Sequence, residues 1–330
     1  MGELLHNPTA GTPSRASISM RRTSHMDMIP RAVSTQQGLG LQGAARDLLT
    51  AADGGAVVLA EAQVQAELAE GRVLTSLVTD PVVSSLRALI GSPAVSGFRA
   101  KVNTAIPDHH SAHTPLFLLM DELPAAALIA GYADLYLRTP DQATNRNRDS
   151  SADICAGWAR DATMMRAIAR DGQVPVPLGP PAPAIELEGD AHSWHTIPPL
   201  AAGAMRRRRR IDVCVQDTVQ IDAMFRDTHV DPQGTETVLH EYTVQATASL
   251  PDFEISRCQA EARVLPWVEC PAAAASPERL VGRRLSELRS YVRQNLTGTS
   301  TCTHLNDLLR SLADAAPLAD LLERTTHQAT

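Results

Sequence analysis

The sequence predicts an α+β protein made of two diverged repeats, each a mainly antiparallel sheet packed with helices at its C-terminal end. The first observation is a copy within the chain. Val57 to Ala66 reads VVLAEAQVQA and Thr237 to Ala246 reads TVLHEYTVQA, six of ten positions matching at a separation of 180 residues. The second is conserved order. Arg46-Asp47 aligns with Arg226-Asp227, RRTSHMD at Arg21 to Asp27 with RRRRRID at Arg206 to Asp212, Leu89-Ile90-Gly91 with Leu280-Val281-Gly282, and HTPLFLLMDEL from His113 with CTHLNDLLRSL from Cys302. Self-similarity that keeps its order points to repeated units. The third is a change of period, from β-type alternation early in each unit to helical spacing later.

From the N-terminus, residues 1–20 are rich in Gly, Ser, Thr and Pro and read as a disordered tail without the apolar stretch of a signal peptide. Residues 21–131 form the first repeat. Residues 132–205 connect: Tyr132 to Arg138 continues from the repeat, and Thr139 to Ser151 is polar and loop-like. Asp153 to Ala169 then places Ile154, Trp158, Met165 and Ile168 in a helical pattern. QVPVPLGPPAPA, Gln173 to Ala184, holds five prolines that block a helix or central strand, so it reads as an extended spacer.

The second repeat spans residues 206–318. Ile211 to Val215, Val219 to Phe225, Thr237 to Leu250 and Glu254 to Leu265 read as strands, with a turn at Asp231-Pro232-Gln233-Gly234. Leu285, Leu288, Val292 and Leu296 make an apolar helix stripe opposite Arg284, Glu287 and Arg293. Thr303 is expected to cap the next helix, which buries Leu305, Leu308, Leu309 and Leu312; Thr114-Pro115 gives the aligned cap in the first repeat. Residues 319–330 read as a C-terminal tail.

Composition narrows the function classes. At 44% hydrophobic and 20% charged the chain can bury real cores, while aromatics at 3% leave few stacking platforms for bases. Charge interrupts apolar runs such as Pro115 to Met120, so no membrane span is expected. Five scattered cysteines suit buried thiols better than disulfides, and a cytoplasmic location is expected. Nucleic acid is a poor partner for a chain of net charge -7.

The run Arg206 to Arg210 is the most conspicuous chemical feature, but acidic residues outnumber basic ones across the rest of the second repeat. On a strand its side chains alternate between faces, so structural ion pairing leads and binding of an acidic ligand or partner follows. His109, His110 and His113 lack a paired cysteine motif or an HExxH helix and read as a polar loop; His192 and His195 flank Trp194 in a loop beside the proline spacer. No metal site or other cofactor is predicted.

Cys302-Thr303-His304 with Asp307 is the strongest catalytic candidate. A thiolate gains from a helix N-terminus, His304 would serve as base, and Asp307, three residues later, would orient it. The first repeat has His113, Thr114, Pro115 and Leu118 at these positions, so two symmetric nucleophile sites are excluded.

Four segments of the second repeat, MRRRRRID from Met205, AMFRD from Ala223, VLHEY from Val238 and GTSTCTHLNDLL from Gly298, carry a resemblance to the bacterial domain-of-unknown-function family 2889. Longer members of that family also resemble RRTSHMD, GLGLQGAARDL from Gly38 and SADICAGWARDATMM from Ser151, so the likeness runs from about Arg21 to Ala316. The family carries no settled chemistry. Its members commonly place a His at the strand entrance where this chain has Arg210, whereas the first repeat keeps His25 and lacks Cys-Thr-His. The resemblance therefore suggests a composite site of His25, Arg210, Cys302 and His304 across the repeats, with Arg207 and Arg209 as further anion-binding residues.

The expected function is binding of an acidic small metabolite by an auxiliary or sensor protein. A cysteine/histidine enzyme is the main alternative, and a protein-interaction module the other. The sequence leaves the oligomeric state open.

Overall fold

The computed structural model describes residues 4–33, 36–133, 152–172 and 174–328. Four strands open the chain: β1 (Ser19–Val33), β2 (Gln36–Thr50), β3 (Ala56–Leu68) and β4 (Leu74–Asp80). Helices α1 (Phe98–Ala105), α2 (Pro107–Ser111) and α3 (Pro115–Ile129) follow, and α4 (Thr163–Asp171) lies in the connection. A second set comprises β5 (Met205–Val215), β6 (Val219–Val230), β7 (Glu236–Ala248) and β8 (Ile255–Val264), then α5 (Leu288–Asn295), α6 (Thr303–Ser311) and α7 (Ala315–Gln328). The predicted α+β class holds, and each strand predicted in the second half overlaps one of β5 to β8, although β5 begins six residues before the predicted Ile211 and β6 runs five residues past the predicted Phe225.

All eight strands join one antiparallel sheet in the order β4-β3-β2-β1-β5-β6-β7-β8. The two halves of that order mirror one another about the β1·β5 pairing, which runs from Ser19↔Cys214 to Met28↔Met205. The two strand entrances, expected to contribute to a composite site across the repeats, are therefore joined in one continuous sheet. Each first strand would otherwise expose a row of unpaired backbone groups, and pairing them removes both edges at once.

Aligned segments occupy matching places. VVLAEAQVQA lies in β3 and TVLHEYTVQA in β7, the third strand of each half. The ladder shifts register between Asp47 and Leu48 and again between Asp227 and Thr228, immediately after each Arg-Asp pair. Leu89 and Leu280 are both buried at the end of a 3-10 helix, two residues before the positive-φ Gly91 and Gly282. Asp231 closes the β6–β7 turn as expected: its Oδ1 accepts from the Gln233 and Thr235 N–H groups (2.9 and 2.8 Å), with Gly234 at φ +86°.

Helices cover one face of the sheet. Leu116, Phe117, Met120 and Leu123 of α3 bury against Leu41, Val64 and Leu68 in the N-terminal half. Leu305, Leu308, Leu309 and Leu312, fully buried, join Leu288, Val292 and Tyr242 in the C-terminal half. Each such leucine withdrawn from water contributes about 1.5–3 kcal/mol. The helix running from Pro115 to Ala133 is long and apolar enough to span a bilayer, a departure from expectation, but two thirds of its most apolar window is buried against the protein (67%).

Residues 4–18 and 174–204 strap parts of the opposite face. The sequence reading of a disordered N-terminus is thereby corrected. Asn7 N–H donates to the Arg263 carbonyl (2.9 Å), Thr9 N–H to Glu241 Oε1 (2.7 Å), and Arg21 to the Pro13 carbonyl (2.8 Å). Buried guanidinium groups need acceptors, and this polar segment supplies its carbonyls. From residue 174 the proline stretch forms no helix, and Pro181 bridges Thr237 of β7. Ile185, Trp194 and Met224 form a small apolar cluster beneath the strap, and the Trp194 indole donates to Thr12 Oγ1 (2.8 Å).

Three boundaries differ from expectation. The C-terminal tail is largely α7, because Ala315, Leu318, Ala319 and Leu322 repeat at helical spacing and are buried. The helix read over Asp153 to Ala169 is confined to α4, preceded by a 3-10 turn at Ala156–Trp158; Ile154 is exposed while Met164 and Ile168 are buried. The N-cap of α6 is Cys302 rather than Thr303, and its side chain makes no capping bond. Thr114 does cap α3, its Oγ1 accepting from Phe117 N–H (3.2 Å). The loop read over Thr139 to Ser151 lies outside the described residues.

Candidate functional site

The five arginines divide between faces. Arg206 and Arg210 point toward the strapped face, Arg207 and Arg209 toward the helices. On the strapped face Arg206 makes a bidentate pair with its cross-strand partner Asp27 (2.6 and 2.7 Å), and Arg21 makes the reciprocal pair with Asp212 (2.6 and 2.8 Å). Arg210 is held by Asp212 and Asp222, and Arg226 by Glu241 and the carbonyls of Thr9 and Pro183. These arginines are largely consumed in holding β1 to β5 and the strap to the sheet.

On the helix face, Arg22, Arg99, Arg207, Arg209, Arg289 and Arg310 interlock with Asp47, Asp121, Glu122, Asp227, Asp307 and Asp314. Burial alone would raise the Asp307 carboxyl, but Arg99, Arg207, Arg209 and Arg310 overrule it and hold the group well below the usual carboxylate range. Burial lifts Glu122 above its ordinary value even beside Arg209 and Arg207.

Within this frame the two halves contain matching rows. Cross-strand register places Arg22, Asp47 and Ala60 side by side on β1, β2 and β3, and Arg207, Asp227 and His240 side by side on β5, β6 and β7. Arg22 donates to both Asp47 oxygens (2.6 and 2.7 Å), and Arg207 to both Asp227 oxygens (2.7 Å each). The rows diverge at their third member. Two residues along, Ala62 corresponds to Tyr242, and in the helical segments His113 and Pro115 correspond to Cys302 and His304.

The C-terminal members of those differing pairs gather in one region. The His304 ring stacks on His240 with centroids 3.7 Å apart and planes 12° from parallel, and His304 Nε2 lies 3.9 Å from Asp227 Oδ2. Phe225, opposite Tyr242 in the ladder, stacks near His304 at 6.4 Å and carries the Arg207 guanidinium over its ring at 5.1 Å. Neither imidazole has a hydrogen-bond partner among the described residues. His304 packs against the sheet yet keeps 21% of its side chain accessible, so the start of α6 leaves part of the ring open to solvent. Burial, then Arg207, pushes His304 down to about 3; burial, then His304, takes His240 well below its usual value.

This arrangement gives the thiol-based site no support. Cys302 is buried, and burial pushes its thiol up to about 11 despite nearby N–H groups of Leu305 and His304. A low, thiolate-forming value is what a nucleophile needs. Asp307 is engaged by arginines, with Arg207 Nη1 at 2.7 Å and Arg310 Nη1 at 3.1 Å, and so is not free to orient His304. The composite of His25 with Cys302 and His304 is also excluded, because the sheet separates them. His25 Nδ1 lies 2.7 Å from His195 Nε2 on the strapped face, and His195 Nδ1 lies 2.8 Å from Thr23 Oγ1. Burial, with Arg206 and Arg208, pushes His25 down to about 3, and burial with His25 does the same to His195.

Of the expected anion-binding residues, Arg207 and Arg209 are buried among carboxylates. Arg210 borders a small cavity of about 220 Å³ with Asp222 and Glu261, but is already paired. A wider hollow of about 610 Å³ is formed by the Glu186–Ile197 loop and touches His195. In the histidine loop, His113 pairs with Asp314 (2.8 Å) and His109 with Thr114 Oγ1 (2.9 Å).

Asp227 and His240 were missed as site residues by sequence reasoning. The signal was the mismatch between the two similar segments: LAEA against LHEY marks the two positions at which the C-terminal half has ring side chains on the helix face and the N-terminal half has alanine.

A search of curated proteins finds no match. A solved structure titled "Crystal structure of lipopolysaccharide binding protein" aligns at 7% identity over 94% of this chain and 80% of that one, with a TM-score of 0.15, too slight a likeness to bear on fold or function. Residues 205–317, which contain Arg207, Asp227, His240, Cys302 and His304, match the model of the family described as "Protein of unknown function (DUF2889)", so the C-terminal region of the chain is similar to that family.

Proposed function

We propose that the protein binds an acidic small molecule as an auxiliary or sensor protein, at the partly exposed His304 where β6, β7 and the start of α6 meet. One observation carries the reading. The N-terminal half builds the same Arg-Asp row with Ala60 and Pro115, so the frame does not need His240 or His304, and their convergence in the other half calls for a use. Two imidazoles without hydrogen-bond partners, next to Arg207, offer N–H donors to a carboxylate or phosphate. In this reading the halves are diverged copies, the first a scaffold and the second carrying the site. A cytoplasmic location belongs to the same proposal and is supported by five free cysteines.

Native mass spectrometry of protein purified without added ligand tests this. A retained acidic metabolite, lost from His240→Ala and His304→Ala variants that still fold, supports it; retention by both variants refutes the site. The cysteine/histidine enzyme is the weaker reading, given the raised Cys302 thiol and the occupied Asp307 carboxylate.

A further inference from the structure

We propose that Asp227, His240 and His304 bind one divalent first-row transition ion of the zinc type. This deepens the preceding reading and rests on it, since an ion held by three protein groups keeps a coordination position open for the carboxylate or phosphate of an acidic ligand.

The ligand atoms, one carboxylate oxygen and two imidazole nitrogens, all lie within 4.8 Å of one another. Zinc holds such atoms at about 2.0–2.2 Å, so tetrahedral ligands stand a little over 3 Å apart, and His304 Nε2 and Asp227 Oδ2 at 3.9 Å need only a small closure. Parallel rings aim their lone pairs along parallel lines. Binding therefore requires the stacked histidines to splay by turning about χ1 and χ2, and the accessible fifth of His304 provides room for that turn.

The donor set selects the ion class. Imidazole with carboxylate suits zinc, cobalt, nickel or ferrous iron, whereas magnesium and calcium prefer oxygen alone. The supporting shell is already in place: Arg207 fixes both Asp227 oxygens, each of which retains a further lone pair, and Asp307 offsets the guanidinium charge (2.7 Å). The first half again supplies a contrast. Asp47 is held identically by Arg22, but Ala60 and Pro115 leave it without nitrogen ligands.

The test uses tag-free full-length protein stripped with a chelator, titrated with Zn²⁺ by calorimetry and with Co²⁺ by visible absorption, and with Mg²⁺ as control. Expected are one ion per chain, a cobalt spectrum of nitrogen and oxygen ligation, and little response to Mg²⁺. Because loss of an outer-shell partner alone costs up to about 100-fold, His240→Ala and His304→Ala should each weaken binding by at least about 100-fold. Both variants leave the Arg207–Asp227 pair intact, and unchanged circular dichroism will verify the fold. Absence of stoichiometric Zn²⁺ binding, or binding indifferent to both histidines, overturns the metal site. If an acidic ligand still depends on the histidines without metal, only the metal proposal falls; if it too ignores them, the acidic-ligand reading falls as well.

Discussion

Asp27→Ala will cost the protein about 3–5 kcal/mol, whereas replacing both members of its pair, as Asp27→Leu with Arg206→Met, will change stability by much less. The pair is buried on both sides, with 5% and 2% of the two side chains accessible, and Asp27 has no other cationic partner at salt-bridge distance among the described residues. Burial raises the Asp27 carboxyl above its ordinary value even though Arg206 lowers it, so desolvation outweighs what pairing returns. Removing Asp27 leaves the Arg206 guanidinium buried with only the Pro198 carbonyl (2.7 Å), while removing both charges also removes the desolvation cost. With an unfolding entropy of about 2.1 cal/mol/K per residue, the single variant should melt roughly 4–7 °C below wild type. Urea and thermal denaturation of the wild type, single and double variants measure this. A single variant within about 1 kcal/mol of wild type, or a double variant as weak as the single, would refute the role given to this seam.

Other outcomes follow from the same structure. His25 and His195 are held neutral when folded, with values near 3, against about 6.5 when unfolded, so the unfolded chain takes up their protons first. Stability from this pair is full above pH 6.5 and is lost as pH falls toward 3, at up to about 1.4 kcal/mol per pH unit per histidine. Urea midpoints between pH 7 and 4 should show a shallower slope in a His25→Gln/His195→Gln variant. Gly179→Ala would place a Cβ 1.6 Å from the Val238 carbonyl oxygen, so it should loosen the strap and speed limited proteolysis near residue 180. Cys302 should resist iodoacetamide in the folded protein at pH 8, as read by peptide mapping; rapid alkylation would revive the thiol chemistry set aside above.

Much of the fold was legible because it rests on periodicity. Alternation marked β5 to β8, and the spacing of Leu285, Leu288, Val292 and Leu296 marked a helix stripe whose members are all buried. What local pattern cannot carry is the partner of an edge strand. Nothing in Arg21 to Asp27 says that it pairs with Arg206 to Asp212, so the two segments were read only as aligned copies. The N-terminal residues lacked an apolar pattern and were read as disordered, but their carbonyls satisfy Arg21 and Arg226, a need visible only once those arginines are buried. The candidate site was half legible: His304 stood out through its neighbours Cys302 and Asp307, while its nearest ring, His240, lies 64 positions away and meets it only through the packing of α6 on β7.

Central to the account is a shared Arg-Asp frame that stands without histidines in one half and carries them for use in the other. The most direct measurement is native mass spectrometry, with a parallel thermal melt, of the His240→Ala/His304→Ala double variant, which gives the C-terminal row the Arg-Asp-Ala composition of Arg22, Asp47 and Ala60. The account predicts a folded protein melting within a few degrees of wild type, stripped of the ligand that wild type retains. A variant that unfolds, or one that keeps the ligand, contradicts it.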